Sequence, residues 1–465
     1  MGSSRTKRAS SLLSAMIAGP LLASSWWTPA GAGPVFGPKS NLAAGTGPIS
    51  LAIADLNADG RPDLAVVNSN GVAVLLGRGD GTFGLRTDFG TPAGSRSIAI
   101  ADLNADGFLD LVTGSEWGEV HTFPGKGDGT FGAQTDDYVG KMPFSVVVAD
   151  LNGDGHPDVA AANYYDLYPE VSVLIGRGNG TFAERQGFGG GIGPIALAVS
   201  DLNADGRPDL VVANGRRDFV SILLGRGDGT FPVQRDIGVG IQPTSVAVAD
   251  LNGDGHPDLV VTGNHQTVAI LLGNGDGTFT ATATVGVGIV PNSVAIADLD
   301  GDGTLDLAVA NEESSSVSIV TGNGDGTFQS ASELATGDVP TSVAIADING
   351  DGKPDLLVSN FGSNTVSVFL NATPAIPPGT SLAISVASNP VKGSLTLGVR
   401  LPLAGTAEVE VFDATGRLAA RRIGLASGGA QEVNFPEAAG WKPGVYLVRV
   451  RQGSAVATTR ACILR

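Results

Sequence analysis

The chain has 465 residues, 42% of them hydrophobic, with 28 basic and 46 acidic residues and a formal net charge of −18. This length and apolar fraction allow more than one domain, and so acidic a chain would repel nucleic acid. The 68 glycines and an aromatic content of 6% favour short strands joined by tight turns. One cysteine, Cys462, and four histidines exclude an intrachain disulfide and argue against a His-rich transition-metal centre.

Residues 1–32 have the pattern of a secretory signal peptide. Arg5, Lys7 and Arg8 form a basic segment, an apolar segment with the sequence SLLSAMIAGPLLASSWW follows, and AGA at Ala30–Ala32 provides a cleavage site. A membrane anchor is the alternative, weakened by the proline and the small polar residues in the apolar segment. No other segment approaches the ~20 apolar residues of a membrane span. We expect a bacterial protein that is secreted or displayed at the cell surface, with no membrane span in the mature chain.

A loop rich in Asp and Asn recurs seven times along the next part of the chain. The loops begin at Asp55, Asp102, Asp150, Asp201, Asp250, Asp298 and Asp347. This nearly constant period is typical of solenoids, propellers and arrays. Each unit contains β-branched runs such as SVAVAD, DLVVTG and TVAILLG, and then the turn GDGTF, which we expect to open a fourth strand. The pattern predicts an all-β fold with a seven-bladed β-propeller over residues 33–371, and an open β-solenoid is the alternative.

The two ends of the repeat array favour a closed ring. The seventh unit stops at VSVFLNATPA and lacks a GDGTF strand. The mature N-terminus begins GPVFGPKSNLAAGTGPISLAIAD, which matches the part of a unit that follows the turn. We expect the N-terminal segment to supply the missing strand, which would leave no free sheet edge.

The loops share the pattern D-x-[ND]-x-D-G-x-x-D, with oxygen side chains at loop positions 1, 3, 5 and 9. They are not EF-hands, because position 12 lacks the bidentate Glu and strands are predicted on both sides. Oxygen side chains with a backbone carbonyl from position 7 suit Ca²⁺ better than Mg²⁺, which prefers a strict octahedron. Asx-turns with solvated carboxylates are the alternative; seven copies of one spacing favour metal loops.

The loops therefore predict up to seven structural Ca²⁺ ions, and no His, Lys or Glu recurs beside them to suggest catalysis. The predicted ligands are Asp55, Asn57, Asp59, Asp63; Asp102, Asn104, Asp106, Asp110; Asp150, Asn152, Asp154, Asp158; Asp201, Asn203, Asp205, Asp209; Asp250, Asn252, Asp254, Asp258; Asp298, Asp300, Asp302, Asp306; and Asp347, Asn349, Asp351, Asp355.

The turn between the second and third strands differs from unit to unit. It reads GSEWGEVH, NYYDLYPE and NGRRDF in units two to four. In a four-stranded blade this turn lies on the opposite face from the Asp loop. Aromatic and Arg side chains on exposed loops indicate a recognition surface, and drift of unconstrained loops is the alternative. The candidate ligand-binding residues are Trp117, Tyr164, Tyr165, Tyr168, Arg216 and Arg217.

The seven units resemble FG-GAP/VCBS repeats, which build the propeller of integrin α subunits and of many secreted bacterial proteins. We expect a non-enzymatic adhesion or binding module for an extracellular glycan or protein. Because some propellers of this type act on polysaccharides, an extracellular lyase or hydrolase is the alternative. Such an enzyme needs positioned acid and base groups. The candidates form no recognisable constellation in the sequence: Glu116, Glu119, His121, Arg216 and Arg217.

The repeats end at a Pro-rich segment, NATPAIPPGTS, and residues 372–380 are interpreted as a semi-rigid linker. The net charge changes sign here: residues 33–379 carry 15 basic and 41 acidic residues, whereas residues 380–465 carry ten and five. The alternating runs SLTLGVRLP, AEVEVFD, RLAARRIG, QEVNFP and GVYLVRVRQG predict a small β-sandwich over residues 381–465.

This C-terminal domain resembles the Ig-like type A sorting domains of the bacterial type IX secretion system and the related Ig-like domain of the flagellar hook cap. The resemblance is carried by Asn389-Pro390, VFDATGR, PGVYLVRV and a basic last strand, TTRACILR. It implies an export address or an attachment point that engages the secretion machinery. A plain Ig-like spacer is the alternative.

Overall fold

The computed structural model describes residues 33–90, 94–165, 171–374, 383–386, 391–392, 394–401, 406–413, 417–425, 429–452 and 455–464. The predicted signal peptide, most of the predicted linker and the Asn389-Pro390 motif lie outside these residues. The described residues are organised in β-strands, with one 3-10 helix at Pro436–Gly440. Among them, no helix has the length and apolar character that a membrane crossing requires.

The repeats form seven four-stranded sheets, and all pairings within them are antiparallel. The first strand of the chain, β1 (Ser40–Ala43), joins the last of these sheets. The other strands are β2 (Ser50–Ala54), β3 (Asp63–Asn68), β4 (Gly71–Leu75) and β5 (Thr87–Gly90); β6 (Ser95–Ala101), β7 (Asp110–Ser115), β8 (Glu119–Phe123) and β9 (Thr135–Tyr138); β10 (Pro143–Ala149), β11 (Asp158–Asn163), β12 (Val171–Leu174) and β13 (Gln186–Phe188); β14 (Pro194–Ser200), β15 (Asp209–Asn214), β16 (Phe219–Leu224) and β17 (Val233–Gly238); β18 (Pro243–Ala249), β19 (Asp258–Gly263), β20 (Thr267–Gly273) and β21 (Phe279–Gly286); β22 (Pro291–Ala297), β23 (Asp306–Asn311), β24 (Ser316–Val320) and β25 (Ser332–Ala335); and β26 (Pro340–Ala346), β27 (Asp355–Asn360) and β28 (Thr365–Phe369) with β1.

Burial changes across each sheet in the same way. The second strand, such as β3, is buried at every residue, whereas the fourth strand, such as β5, is mostly exposed. The second strands have nearly continuous apolar sequences because both of their faces pack against neighbouring sheets. Burying a Val or Leu side chain fully contributes about 1.5–3 kcal/mol, so these strands form the centre of the repeat region.

A cluster of buried apolar side chains lies between each pair of neighbouring sheets. Val67 of the first sheet and Leu111 of the second belong to one cluster. Leu64 of the first sheet and Leu357 of the seventh belong to another. The seventh sheet therefore packs against the first, which gives the repeated sheets a propeller-like arrangement.

The N-terminal segment completes the seventh sheet, as the ends of the repeat array predict. β1 pairs antiparallel with β28, with Ser40 opposite Val368 and Ala43 opposite Thr365. An isolated bridge between Phe36 and Asn371 extends the pairing toward the start of the described chain. The outer edge of β28 is thus covered by backbone from the opposite end of the repeat region.

The start of the fourth strand differs from the prediction in most sheets. The sequence places it at GDGTF, but in the first sheet Gly77 and Phe83 form only an isolated bridge, and β5 begins at Thr87. The Phe83 ring is buried, and the Gly84 N–H still bonds the Leu76 carbonyl, after which the chain leaves the ladder before rejoining it. In the fifth sheet the strand begins at the phenylalanine of the motif, as predicted.

The C-terminal region forms a separate β unit with its own core. Its strands are β29 (Ala383–Val386), β30 (Val391–Lys392), β31 (Leu395–Leu401), β32 (Ala407–Phe412), β33 (Leu418–Leu425), β34 (Gly429–Phe435), β35 (Gly444–Gln452) and β36 (Ala455–Leu464). They form a three-stranded sheet (β29-β31-β34) and a five-stranded sheet (β30-β36-β35-β32-β33). Leu397 and Phe435 from one sheet and Val409 and Val448 from the other share one buried cluster. All five predicted runs are strands, and β29 and β30 were not predicted.

Candidate functional site

The Asp loops connect the first and second strands of each sheet and are folded by their own side chains. In the first loop the Asp55 carboxylate accepts hydrogen bonds from the N–H groups of Asp59 (3.1 Å) and Gly60 (2.7 Å). Asn57 Oδ1 accepts from the same Asp59 N–H (3.0 Å). Gly60 has a φ of +80°, a conformation that favours glycine. The side-chain oxygens of positions 1 and 3 therefore converge on the N–H of position 5.

The Asp at position 9 has a role that the sequence did not predict. Asp63 is fully buried, and its carboxylate accepts from the N–H groups of Leu56 (2.9 Å) and Gly77 (2.7 Å). It thus joins the Asp loop to the GDG turn of the same sheet. The backbone of Gly77 lies so close to Pro62 that a Cβ at Gly77 would be 2.0 Å from the Pro62 carbonyl oxygen. This position therefore requires glycine. The corresponding bonds are made by Asp110, Asp158, Asp209, Asp258, Asp306 and Asp355.

Hydrogen bonds also connect the loops of neighbouring sheets. The Gly129 N–H, in the GDG turn of the second sheet, donates to the Leu56 carbonyl in the first Asp loop (3.2 Å). Gly81 of the first sheet makes the equivalent bond to Ile348 of the seventh sheet (3.2 Å). The Asp loops and GDG turns therefore share one end of the sheets, which we call the loop face.

Carboxylates raise the pKa of one another in these loops, and among the described residues they lie close enough together to hold a metal ion in the sixth loop. The pKa of Asp63 is raised, mainly by burial and to a smaller extent by the carboxylates at positions 1 and 5. Its two backbone hydrogen bonds lower the pKa but do not cancel this rise. In the sixth loop Asp300 replaces the Asn of the other loops, and burial with neighbouring carboxylates raises the pKa of Asp300 to about 6 and that of Asp306 to about 7. Carboxylate oxygens of Asp298, Asp300 and Asp306 lie within 4.8 Å of one another. Such an all-oxygen, electron-rich donor set suits Ca²⁺.

The turns between the second and third strands lie at the other end of the sheets, beside the connectors between sheets. The Glu116 N–H donates to the Gly94 carbonyl (2.9 Å), and the Tyr164 N–H donates to Met142 (3.0 Å). The Gly215 N–H donates to Gly193 in the same way (2.9 Å). We call these turns and connectors together the variable face.

Three of the predicted ligand-binding residues meet on the variable face. The Arg216 guanidinium carbon lies 4.3 Å from the ring centroid of Tyr164 and 4.4 Å from that of Tyr165. The two rings are 4.9 Å apart and nearly perpendicular. The neighbouring Tyr164 raises the pKa of Arg216, so this side chain stays charged. These three residues, from the third and fourth sheets, form the aromatic–Arg cluster.

Two residues that the sequence analysis missed extend this cluster toward the second sheet. The Phe144 ring lies 4.8 Å from the Tyr164 ring, and the Arg96 guanidinium lies 5.2 Å from the Phe144 centroid. Both occupy the second residue of a first strand, where units five to seven have Thr or Asn (PTSVAVAD, PNSVAIAD). That departure from the repeat was the available signal.

The other predicted ligand-binding residues are placed as follows. Trp117 is exposed over 71% of its surface, in the turn that precedes β8. Arg217 is exposed beside Arg216 in the turn before β16. Tyr168 lies outside the described residues.

The candidate acid and base residues are not brought together as an exposed pair. His121 is fully buried, with Nδ1 2.7 Å from Asp136 Oδ1. Glu116 forms a salt bridge with Arg96. His121 is therefore inaccessible to a polysaccharide, whereas Glu116 is partly exposed and paired with Arg96.

A family profile described as FG-GAP-like repeat matches six overlapping segments, residues 55–113, 102–161, 150–212, 201–261, 250–309 and 298–358. Each segment runs from one Asp loop into the second strand of the next unit. Among solved structures, the chain is similar to BBS1N, crystallised in complex with ARL6DN and soaked with lead, at 13% identity over 74% of this chain and 98% of that chain (TM-score 0.52). At this identity the similarity concerns the fold alone.

The chain is also similar to an Agrocybe aegerita lectin that recognises non-reducing terminal N-acetylglucosamine, at 25% identity over 63% of this chain and 81% of that chain (TM-score 0.46). A comparison with curated proteins gave no match.

Proposed function

The chain belongs to the family of FG-GAP-like repeat proteins, and we propose that it is a calcium-stabilised, non-enzymatic binding module for an extracellular glycan or protein. In this proposal the seven sheets are the blades of a closed β-propeller. The C-terminal unit is an Ig-like β-sandwich that serves as a sorting or attachment domain for the secretion machinery. The protein is secreted or displayed at the bacterial cell surface.

The contrast between the two faces is the observation that carries this proposal. The loop face repeats the same Asp loops and GDG turns, and the same hydrogen bonds recur in every sheet. The variable face differs from sheet to sheet and carries the aromatic–Arg cluster. If its loops had only drifted, we would expect scattered side chains; instead Tyr164, Tyr165 and Arg216 contact one another across two sheets. Clustered Tyr and Arg residues are typical of binding hot spots.

Calcium has a structural role in the proposal. The 28 predicted ligands would hold up to seven ions, and each ion would supply positive charge to a loop where carboxylates gather. The buried Asp at position 9 links the loop to the GDG turn in the first six sheets, and in the seventh sheet it accepts instead from the Asn371 N–H. An ion held in the loop would therefore stabilise the hairpin and, through the turn, the contact with the neighbouring sheet.

Binding by the variable face is tested with the mature chain, in millimolar calcium, on an array of glycans and extracellular proteins. We expect a limited set of ligands, and replacing both Trp117 and Tyr165 with Ala should weaken their binding by about 1–3 kcal/mol in total. Phe108→Ala is the matched control, because Phe108 is an exposed aromatic residue on the loop face. Unchanged affinity in the double variant, or an equal loss of affinity in the control, would contradict ligand binding by the variable face.

An enzyme acting on polysaccharides is the competing function. Incubating the mature chain with polysaccharides and assaying new reducing ends or unsaturated products separates the two. Turnover that survives repurification would refute a purely binding role.

A further inference from the structure

The side chain of Arg216 is held in place on several sides. A Cβ at Gly193, which has a φ of +66°, would lie 2.6 Å from Arg216 Cγ, so the stem of Arg216 packs directly on the connector backbone. Its guanidinium contacts the rings of Tyr164 and Tyr165, and Tyr164 is itself in contact with Phe144. The contacts therefore orient this exposed guanidinium before any ligand binds, which reduces the entropy lost on binding.

The charges in the loops around Arg216 balance, whereas the repeat region as a whole is strongly acidic. Residues 33–379 carry 15 basic and 41 acidic residues, a net charge of −26. The loops next to the cluster, residues 139–142, 163–170 and 215–218, contain three basic residues, Lys141, Arg216 and Arg217, and three acidic residues, Asp166, Glu170 and Asp218, of which Asp166 and Glu170 lie outside the described residues. The Lys141 carbonyl accepts from the Tyr165 N–H (3.3 Å), which places Lys141 beside the cluster.

Acidic residues lie on the variable face at the sixth and seventh sheets. The turn of the sixth sheet carries Glu312 and Glu313, and the connector to the seventh sheet carries Asp338. Arg216 and Arg217 are exposed beside the aromatic rings, where their guanidinium groups would attract an anion locally.

The exposed rings add a second requirement for the ligand. Tyr165 is exposed over 51% of its surface and lies next to the Arg216 guanidinium. A guanidinium carries five N–H donors in a planar fork that matches a carboxylate. A flat aromatic ring offers its face to apolar C–H groups. A ligand that contacts both the Arg216 guanidinium and the Tyr165 ring needs a carboxylate attached to a flat C–H surface.

We propose that the aromatic–Arg cluster binds an acidic saccharide, with a uronate carboxylate on Arg216 and the sugar ring against Tyr165. This assignment rests on the proposed binding function, since it gives the ligand class for the same face. An acidic peptide also offers carboxylates, but they stand on flexible side chains without an adjoining flat surface. The exposed ring beside the guanidinium therefore favours the saccharide.

The test uses isothermal titration calorimetry on the mature chain in millimolar calcium. The ligands are trigalacturonic acid, its neutral methyl ester and a Glu-rich peptide of the same charge. We expect the acid to bind at least tenfold more tightly than the ester and the peptide. Arg216→Gln should weaken binding of the acid at least tenfold, and Arg216→Lys, which keeps the charge but loses the fork, should weaken it less.

Arg235→Gln is the matched control, because Arg235 is an exposed arginine on the outer strand β17, bonded to the Asp276 carbonyl (3.2 Å). The Arg235→Gln variant should bind trigalacturonic acid as tightly as the unchanged protein does. Gly193→Ala should weaken binding by displacing the stem of Arg216, while its melting temperature reports whether the fold survives.

Equal binding of acid and ester, or equal affinities of Arg216→Gln and Arg235→Gln, would overturn the assignment and leave the general binding function standing. Tighter binding of the peptide would overturn the choice of a saccharide. If the unchanged protein binds none of the three ligands, this assignment is wrong, and the array with neutral glycans and proteins decides the proposed function separately.

Discussion

The buried Asp at position 9 carries more of the loop's structure than its exposed neighbours. In the fifth sheet the Asp258 carboxylate accepts from the N–H groups of Leu251 (2.8 Å) and Gly273 (2.7 Å), and the side chain is fully buried. Asp254, at position 5, is exposed and accepts from the N–H of His256 (2.8 Å). The two residues are both predicted calcium ligands, yet only the first has backbone donors that water cannot reach if it is removed.

We therefore expect Asp258→Ala to destabilise the repeat region far more than Asp254→Ala. Each buried donor left unsatisfied costs about 1–3 kcal/mol, so the first change should cost about 2–6 kcal/mol and the second about 1 kcal/mol or less. Urea unfolding of both variants, with metal ions removed by a chelating resin, measures the difference. Equal losses would mean that the backbone bonds of Asp258 contribute little.

Protonation of the sixth loop should make the metal-free protein more stable at lower pH. The folded pKa values of Asp300 and Asp306, about 6 and about 7, lie above the ordinary value of 3.8. The folded state therefore binds protons more tightly than the unfolded chain, and this stabilisation is present below about pH 4 and is lost as the pH rises through 6 and 7. Calcium competes with these protons, so the pH dependence should flatten or reverse when calcium is added.

Melting temperatures between pH 5 and pH 8, with and without calcium, test this expectation. Asp300→Asn is the control, since it gives the sixth loop the Asn found at this position in the other six loops. Without calcium, the change of melting temperature with pH should become smaller in this variant. An unchanged slope would assign the pH dependence to other carboxylates.

At the scale of elements, a strand from one end of the repeat region covers the sheet edge at the other end. β1 pairs with β28 over Ser40–Ala43, and β28 contains the buried residues Val366 and Val368. Without β1, the backbone N–H and C=O groups along β28 would be unpaired, and an uncovered edge of this kind recruits other chains.

Deleting residues 34–45 should therefore lower the melting temperature of the repeat region and cause association. Light scattering after size-exclusion chromatography and differential scanning calorimetry measure the two effects. A truncated chain that stays monomeric and melts like the mature protein would show that β1 does not hold the seventh sheet.

At the scale of the whole molecule, the seven loops form one acidic system around the loop face. The net charge of residues 33–379 is −26, and seven bound calcium ions would bring +14. Hydrogen bonds such as Gly129 to Leu56 connect the GDG turns of the first five sheets to the Asp loop of the preceding sheet around the ring of repeats, the seventh sheet preceding the first. Changes in one loop can thus reach the next, so the effect of calcium should be collective.

Removing calcium should lower the melting temperature of the repeat region strongly and increase its protease sensitivity. Occupancy at tenfold over Kd adds about 1.4 kcal/mol per site by mass action, so seven sites reach roughly the whole stability of a typical domain. The C-terminal unit, which lacks these loops, should melt at the same temperature. Calorimetry with and without EGTA measures both transitions, and superimposable transitions of the repeat region would mean that the Asp loops are only turns.

Much of the architecture could be predicted because the information is local and repeated. The apolar run DLVVTG predicts the buried strand β19, and the spacing of the Asp loops predicts the number of four-stranded sheets. The unmatched ends of the array predicted the pairing of β1 with β28. The start of β5 was misplaced because a turn motif specifies the turn itself, whereas the point where the chain rejoins the ladder depends on three following residues without a strong preference.

The sequence by itself therefore determined most of the strands, the repeat and the oxygen-rich loops, since periodicity and turn chemistry act over a few residues. Only the tertiary structure decided which loop residues meet. Tyr164 and Arg216 stand about one repeat apart and come into contact because neighbouring sheets pack side by side. The hydrogen bond from the Gly77 N–H to Asp63 likewise depends on the tertiary structure. It forms because the first and third turns of a sheet share one end, where a buried carboxylate must accept hydrogen bonds.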